Sequence, residues 1–303
     1  MTALDKTARI PVILDTDIGN DIDDTWALAM MLSCPELDVK LVVGDTGDAP
    51  YRAKLIAKFL EVAGRTDIPV GVGLHFGQPA KQMRQAEWVK DYDLTKYPGV
   101  VNQDGVGAII DTIMKSPQPV TLICIGPVPN IGKALEREPR IAQKARFVGM
   151  HGSVRVGYGG SKEISRECNV VNHVKDCQKV FTAQWDLTIT PLDTCAQVVL
   201  RGEKYQAVER CRHPIIKALM ENYRYWSMMY TGKEPAGASS VLFDTVAVYL
   251  AFADDLLVME KLPIRVTDDG YTVIEPGAKI INCAMAWKDY GAFEDLLVKR
   301  LIS

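Results

Sequence analysis

Residues 12–28 read VILDTDIGNDIDDTWAL and hold five aspartates within ten positions. The apolar run from Ile10 to Leu14 precedes these aspartates and predicts a buried strand. The almost wholly apolar segment from Asp23 to Leu32 follows them and predicts a helix that ends before Pro35. The aspartates therefore lie at the carboxyl end of a strand, which is the edge of an open α/β sheet where ligands bind.

Outward from this segment, strand-like and helix-like patterns alternate through the first half of the chain. Strands are predicted at Val39–Val43, Val70–Val72, Val120–Ile125, Arg146–Met150 and Leu187–Thr190. Helices are predicted at Tyr51–Ala63, Gly107–Lys115, Ile131–Glu138 and Asp176–Gln184. Alternation at this spacing predicts an α/β fold in which helices flank a mostly parallel central sheet.

Beyond about Pro191 the pattern becomes mainly helical. It predicts helices at Pro214–Tyr230, Phe243–Ala253 and Tyr290–Leu301, with a few strands between Leu256 and Cys283. No linker or repeat divides the chain, so we expect one domain over residues 1–303, with a helical cap over the carboxyl edge of the sheet.

Composition excludes several classes of protein. The 303 residues carry 35 basic and 38 acidic side chains, a net charge of −3, so no positive field favours nucleic acid or an anionic membrane. No apolar run approaches the ~18 residues of a membrane span, and the N-terminal MTALDKTARI lacks the apolar core of a signal peptide. The seven cysteines form no CxxC pair, which favours reduced thiols and a cytoplasmic location.

The aspartate cluster is too dense for helix capping alone. A single aspartate at a helix start is usually a cap, which accounts for Asp23 or Asp24 and for Asp21 at most. Five carboxylates in one turn repel each other, and oxygen ligands favour Ca²⁺ or Mg²⁺ over zinc as the neutralising ion. An EF-hand loop counted from Asp15 fails, because Asn20 takes its glycine position and Trp26 its glutamate position.

A second enzyme class also places an Asp-x-Asp pair after an N-terminal strand. In a Mg²⁺-dependent phosphatase of the aspartyl-phosphate type, Asp15 would be the covalent nucleophile. Such an enzyme does not need the further acidic residues that lead into the helix, but the pattern alone leaves this alternative open.

Further motifs follow in order along the chain. They are Gly44-Asp45-Thr46, Ala63-Gly64-Arg65, Ile68-Pro-Val-Gly71, Asp104-Gly-Val-Gly107, Ile125-Gly126-Pro127-x-x-Asn130-Ile131, Glu167-Cys168-Asn169 and Phe243-Asp244-Thr-Val-Ala-Val248. Together with residues 15–28, these blocks resemble the inosine-uridine preferring nucleoside hydrolases. Several blocks in one order are far more specific than a single motif.

The resemblance implies hydrolysis of the N-glycosidic bond of ribonucleosides to ribose and a free base, with one Ca²⁺ per chain. By position in the motifs, the metal ligands would be the carboxylates of Asp17, Asp24 and Asp244 and the backbone carbonyl of Ile125. Asp17 would also be the general base that deprotonates the attacking water. The family further implies a homo-oligomer, either a dimer or a tetramer, and a small nucleoside as the partner.

The same motifs imply a set of ribose contacts and show where this chain departs from the family. The substrate-binding residues would be Asp23, Asp45, Glu167 and Asn169, with Asp45 in a place where many relatives have asparagine. Relatives carry leaving-group histidines where this chain has Phe243 and Val101, and an aspartate where it has His173. Neither Phe243 nor Val101 can donate a proton.

Other side chains would then have to contact the departing base. His151 follows a predicted strand at its ligand-facing end, and Tyr225 and Trp226 lie in an aromatic run that can stack on a base. The missing histidines also favour a second hypothesis, a non-catalytic nucleoside- or ribose-binding protein that keeps the metal site. The nucleoside hydrolase, the binding protein and the phosphatase thus stand as three hypotheses.

Overall fold

A ten-stranded sheet runs through the computed structural model, which describes residues 9–303. The prediction that the chain has no signal peptide falls on residues 1–10, most of which lie outside the described range. The strands are β1 (Ile10–Thr16), β2 (Leu37–Gly44), β3 (Val70–Val72), β4 (Val101–Asn102), β5 (Val120–Cys124), β6 (Ala145–Met150), β7 (Leu187–Thr190), β8 (Leu257–Val266), β9 (Thr272–Ile274) and β10 (Ile280–Trp287).

Helices cover both faces of this sheet. They are α1 (Asp23–Leu32), α2 (Ala49–Val62), α3 (Ala86–Val89), α4 (Gly105–Lys115), α5 (Pro129–Arg137), α6 (Cys168–Val171), α7 (Val174–Thr182), α8 (Leu192–Cys195), α9 (Gly202–Arg210), α10 (Pro214–Thr231), α11 (Thr245–Leu250) and α12 (Tyr290–Ile302). No described helix is both long enough and apolar enough to cross a bilayer.

The strand order aligns the carboxyl ends of the central strands. The order is β4-β3-β2-β1-β5-β6-β7-β10-β8-β9, and neighbouring strands are parallel from β4 to β10. Thr16 pairs with Gly44, Asp15 with Cys124, and Cys124 with Gly149. The loops after β1, β2, β5 and β6 therefore open at the same edge of the sheet. At the far side, β8 and β9 add antiparallel pairs.

The central strand β1 is buried on both faces. Val12 and Leu14 pack into one hydrophobic cluster, and Ile13 packs into the other on the opposite face. This follows from the period of two in a strand, and it explains why the segment reads as a continuous apolar run rather than as an alternation. Helix α1 packs against both α10 and α11, so these two C-terminal helices lie close to the turn between β1 and α1.

The predicted fold class is confirmed, and most predicted elements differ from the observed ones only by a few residues at their ends. One larger difference is the predicted helix at Phe243–Ala253, which the structure limits to Thr245–Leu250, so that Phe243 and Asp244 lie in the turn before it. The sequence does not predict β4, α3 and α6, which have only two to four residues and little local signal. It also does not single out the nine-residue α9, which lies in the region expected only to be mainly helical.

Candidate active site

The turn between β1 and α1 presents its aspartates for a purpose other than capping. Ile22 occupies the N-cap position, directly before the first residue of α1, and no side chain caps the helix there. The carboxylate of Asp24 instead accepts a hydrogen bond from the hydroxyl of Thr16 at 2.5 Å. Gly19 makes the turn possible with a φ of +109°, where a Cβ would lie 2.6 Å from both Tyr51 and Leu55. The capping interpretation of Asp23 and Asp24 is therefore wrong.

Three carboxylates from distant parts of the chain meet at this turn. One carboxylate oxygen from each of Asp23, Asp24 and Asp244 lies within 4.8 Å of the others, and all three residues are buried. Asp24 stands in the first turn of α1 and Asp244 directly precedes α11, and these two helices pack together. The packing of α1 against α11 thus brings the acidic groups together.

The electrostatics of this cluster call for a positive partner. Burial, followed by the negative charge of neighbouring carboxylates, raises the pKa values of Asp23, Asp24 and Asp244 well above their usual range. Buried carboxylates at such separations are stable as anions only beside a cation. Three carboxylates form the hard-oxygen donor set that Ca²⁺ or Mg²⁺ prefers, so the residues present fit such an ion.

Asp17 is held beside the cluster by two close neighbours. Nη2 of the buried Arg52 lies 3.9 Å from Oδ2 of Asp17. On the other side lies Gly126, where a Cβ would come within 2.8 Å of the Asp17 backbone nitrogen and 3.0 Å of its Oδ1. Burial raises the pKa of Asp17 and the Arg52 guanidinium partly opposes that shift. Glycine is therefore required at position 126 for the close approach.

Asn169 and Glu167 fix the ends of β5 and β6. The amide nitrogen of Asn169 donates to the backbone carbonyls of Ile125 and Met150, each at 3.0 Å. The carboxylate of Glu167 begins α6, where it accepts the backbone N–H groups of Asn169 and Val170, and it also accepts that of Gly152. Burial raises the pKa of Glu167 to about 7, although these three hydrogen bonds oppose the shift.

These groups line one cavity of about 460 Å³ at the carboxyl edge of the sheet. One side is acidic and polar, and the other side is aromatic. The predicted site residues that line it are Asp17, Asp23, Asp24, Ile125, Glu167, Asn169, Trp226 and Asp244. Phe243, which stands where relatives have a histidine, lines it as well. Trp226 is held by stacking on Tyr223, with ring centroids 5.8 Å apart.

The structure does not bring His151 and Tyr225 to this cavity. His151 has no exposed surface, and its ring packs against Phe147 and Phe181. Burial lowers its pKa to about 3, so the imidazole is neutral. Tyr225 is partly buried and does not line the cavity, because it lies on a different face of α10 from Trp226. The interpretation of these two residues as contacts of a leaving base is not supported.

Asp45 and Asp15 also lie away from the cavity surface. Asp45 is fully buried, close enough to Asp15 and Asp17 that burial and their charges raise its pKa well above the usual range. The expected ribose contact of Asp45 therefore has no access. Asp15 has no exposed surface either, and its Oδ1 accepts the Asn130 amide at 2.8 Å. A phosphoester cannot reach it, so the interpretation of Asp15 as a phosphatase nucleophile is wrong.

Sequence reasoning missed two tyrosines that line the cavity, Tyr158 and Tyr230. Tyr230 follows Trp226 by four residues on α10, and this spacing places the two on one helix face, so the signal was present. Tyr158 lies in the loop after β6 within Gly157-Tyr-Gly-Gly160. The one sequence feature that indicated Tyr158 is its position in the loop that follows the carboxyl end of β6.

Val101 and His173 occupy positions where the family pattern differs. Val101 lies on the edge strand β4 and does not line the cavity. The imidazole of His173 lies 3.0 Å from the hydroxyl of Thr46 and packs against Phe76. It joins the loop after β2 to the start of α7, so its role here is structural.

Comparison with known proteins places this arrangement among enzymes. Residues 12–291 match the family described as inosine-uridine preferring nucleoside hydrolase. Uridine nucleosidase 1 of Arabidopsis thaliana is 25% identical over 298 residues, which cover 92% of this chain and 86% of that protein. The inosine-uridine preferring nucleoside hydrolase of Crithidia fasciculata is 26% identical, with coverage of 84% and 82%. A solved plant nucleoside hydrolase superposes with a TM-score of 0.81 at 23% identity, over 98% of this chain and all of that one (100%).

Proposed function

Because the chain belongs to the inosine-uridine preferring nucleoside hydrolase family, and is thus an enzyme that acts on N-glycosyl compounds, we propose that it cleaves ribonucleosides to ribose and free base by a Ca²⁺-dependent mechanism. The single observation that carries this proposal is the meeting of Asp23, Asp24 and Asp244 in one buried cluster beside Asp17. The missing histidines favour a non-catalytic binding protein, but membership of this family of hydrolases outweighs them and favours an enzyme.

We propose that one Ca²⁺ is held by the carboxylates of Asp17, Asp24 and Asp244 and by the carbonyl oxygen of Ile125. All four residues line the same cavity. Ile125 already accepts the amide of Asn169, but a carbonyl oxygen has a second lone pair for a cation. Ca²⁺ takes about 6–8 oxygen ligands, so water and ribose hydroxyls would complete the set. When bound, such an ion lowers the pKa of a coordinated water.

The side chain of Asp17 would remove the proton from the attacking water. Arg52 and Gly126 lie against its carboxylate from two sides, which supports the role of a positioned general base. The surrounding carboxylates would stabilise the positive charge that develops on C1′ in an oxocarbenium-like transition state.

Ribose would be held by Asp23, Glu167 and Asn169, which line the acidic side of the cavity. The amide nitrogen of Asn169 is engaged by two carbonyls, which leaves its oxygen to accept from a ribose hydroxyl. The base would then lie against the aromatic side, where Trp226 offers a face for stacking. On the family resemblance we further propose a cytoplasmic homo-oligomer, a dimer or a tetramer.

The test is to incubate the protein with a panel of ribonucleosides and Ca²⁺ and to assay reducing sugar. Wild type should release ribose, and Asp17→Asn should lose at least about 100-fold in kcat, as expected for loss of a general base. Asp111→Asn is the matched control, because Asp111 lies on an exposed helix face and pairs with Lys115. Thermal stabilisation by ribose without release from any nucleoside contradicts the proposal and favours the binding protein.

A further inference from the structure

The cavity has an acidic side and an aromatic side, which suit the ribose and the base of a nucleoside respectively. The acidic side would hold ribose under the proposed function, on which this inference rests. The base then lies against the aromatic side formed by Tyr158, Trp226, Tyr230 and Phe243. A departing base carries the electron pair of the broken bond and needs a hydrogen-bond donor.

Most groups on the aromatic side are poorly suited to donate. Phe243 has no polar atom. The indole nitrogen of Trp226 is buried away from solvent, and its ring is stacked on Tyr223. Tyr230 is 60% exposed, and the guanidinium of Arg84 lies over its ring at 4.2 Å, which places it at the mouth of the cavity.

Tyr158 is fixed between the two turns that carry the site. Its phenol oxygen accepts the backbone N–H of Cys168 at 3.1 Å, directly between Glu167 and Asn169. Its ring meets that of Phe243 edge to face, with centroids 6.3 Å apart, next to Asp244. The contact with the Cys168 N–H uses a lone pair of the oxygen, so the backbone does not take the phenol proton. The Cys168 thiol is also within hydrogen-bonding reach of the phenol. A thiol is a weak acceptor, which a departing base would displace.

The loop that carries Tyr158 is held in place although it is rich in glycine. The backbone N–H of Tyr158 donates to the hydroxyl of Ser165 at 3.0 Å, and that of Ser165 donates to the hydroxyl of Ser153 at 2.8 Å. Gly157 allows the close turn, since a Cβ there would lie 2.2 Å from the carbonyl oxygen of Glu163. The phenol is therefore positioned before a substrate binds, as a transition-state donor should be.

We propose that Tyr158 is the leaving-group donor of this enzyme, a catalytic residue that stands in for the absent histidines by hydrogen-bonding the departing base through its phenol O–H. As the C1′–N bond breaks, its electron pair moves to the base and the phenol O–H stabilises that pair. Water forms the new C1′–O bond and gives its proton to Asp17, and the base gains its proton through solvent. Burial and the nearby Glu167 raise the pKa of Tyr158, so the phenol remains a donor throughout the neutral range.

The experiment compares two leaving groups in the full-length protein with Ca²⁺. Inosine and uridine release a base that needs a donor, whereas 4-nitrophenyl β-D-ribofuranoside releases a stable anion. Tyr158→Phe keeps the ring and removes the hydroxyl. It should lose about 100-fold or more in kcat on both nucleosides with KM little changed, and stay within about threefold of wild type on the nitrophenyl riboside.

Matched variants separate this role from a structural one. Tyr92→Phe removes another phenol hydroxyl, one that donates to Glu61 on the surface, and should leave both substrates unaffected. Thermal stabilisation by Ca²⁺ should be the same in Tyr158→Phe as in wild type. Equal losses on both classes of substrate, or no loss on either, overturn the role of Tyr158. A wild-type protein that cleaves neither class overturns the proposed function itself.

Discussion

Nη2 of Arg52 lies 3.9 Å from Oδ2 of Asp17, and only 2% of the arginine side chain is exposed. The same guanidinium donates to the backbone carbonyl of Ile18 at 2.7 Å and to that of Thr46 at 3.0 Å. Arg52 therefore joins the loops after β1 and β2 and supplies a positive charge to a group of buried carboxylates. Its charge opposes the rise in the pKa values of Asp17, Asp24 and Asp45.

Removal of this buried cation should destabilise the protein strongly. Arg52→Gln leaves two carbonyls without a donor and the carboxylates without a counter-charge, so we expect a loss of about 3–5 kcal/mol in the free energy of unfolding. Arg52→Lys keeps the charge but lacks the planar guanidinium, so its loss of unfolding free energy should be smaller than that of Arg52→Gln. Urea unfolding measures both. Arg210→Gln, an exposed change, is the control, and a loss as small as that of the control contradicts the prediction.

If the proposed Ca²⁺ is bound, its removal should lower the melting temperature, because Asp23, Asp24 and Asp244 then repel each other. At about 100 times its Kd, a bound ion adds about 2.7 kcal/mol to the free energy of unfolding. Asp244→Asn should abolish the dependence on Ca²⁺ and, in chelator, should melt above wild type, since one buried charge is gone. Scanning calorimetry with chelator and then with Ca²⁺ gives both values. Equal Ca²⁺ dependence of the two proteins contradicts the assignment of Asp244 as a ligand.

A methyl group at position 126 should impair catalysis and also lower stability, because it meets the backbone as well as the side chain of Asp17. Gly126→Ala pushes against the nitrogen, Cβ and Oδ1 of Asp17, so the proposed general base shifts by a fraction of an ångström. We expect kcat to fall by about 10- to 100-fold. Steady-state kinetics checks the value beside Gly291→Ala, where a Cβ meets only Asp289 at 3.6 Å. Unchanged kcat in Gly126→Ala means that Asp17 is not the base or is not held there.

The neutral, buried His151 should make the protein sensitive to acid. Its folded-state pKa is lowered from 6.5 to about 3 by burial, so below pH 6.5 the unfolded chain binds a proton that the folded chain does not. Stability contributed by this site is fully present above that pH and falls by about 1.4 kcal/mol per pH unit below it. Between pH 8 and pH 5 this amounts to about 2 kcal/mol.

The variant His151→Leu should remove this part of the pH dependence of urea unfolding. His213→Gln, at an exposed histidine, should leave the wild-type pH dependence in place. If both variants show the wild-type pH dependence, then His151 is protonated in the folded state and the assignment of a neutral imidazole is wrong.

Local patterns in the sequence were sufficient for the fold and for most of the acidic side of the site. The continuous apolar run Ile10–Leu14 and the almost wholly apolar segment Asp23–Leu32 were enough to indicate a buried strand and a helix, and the aspartates between them mark the sheet edge. Whether a loop side chain is buried cannot be predicted in this way, because loop residues show no regular hydrophobic pattern. His151 follows a strand end just as a ligand residue would, yet its ring turns toward Phe147, and only the packed structure reveals this.

The aromatic side of the cavity depends on tertiary contacts that no motif encodes. Tyr158 reaches the cavity because its loop is pinned by Ser165 and by the N–H of Cys168. Asp45 could be named from its motif, but its depth below the surface depends on how β2 pairs with β1. Position in a motif thus indicated which residues belong to the region, and packing decides which of them meet a ligand.

The meeting of α1 with α11 has a consequence for how the protein matures. Asp24 is synthesised early and Asp244 late. An ion bound by both would therefore join two segments that are separated by most of the chain. Because Asp24 and Asp244 meet only in the folded chain, such an ion stabilises the folded state by binding to it and leaves the unfolded chain unconstrained. A nascent or truncated chain that ends before Asp244 would lack this ligand. It would therefore be inactive until the C-terminal part of the chain has been made and folded.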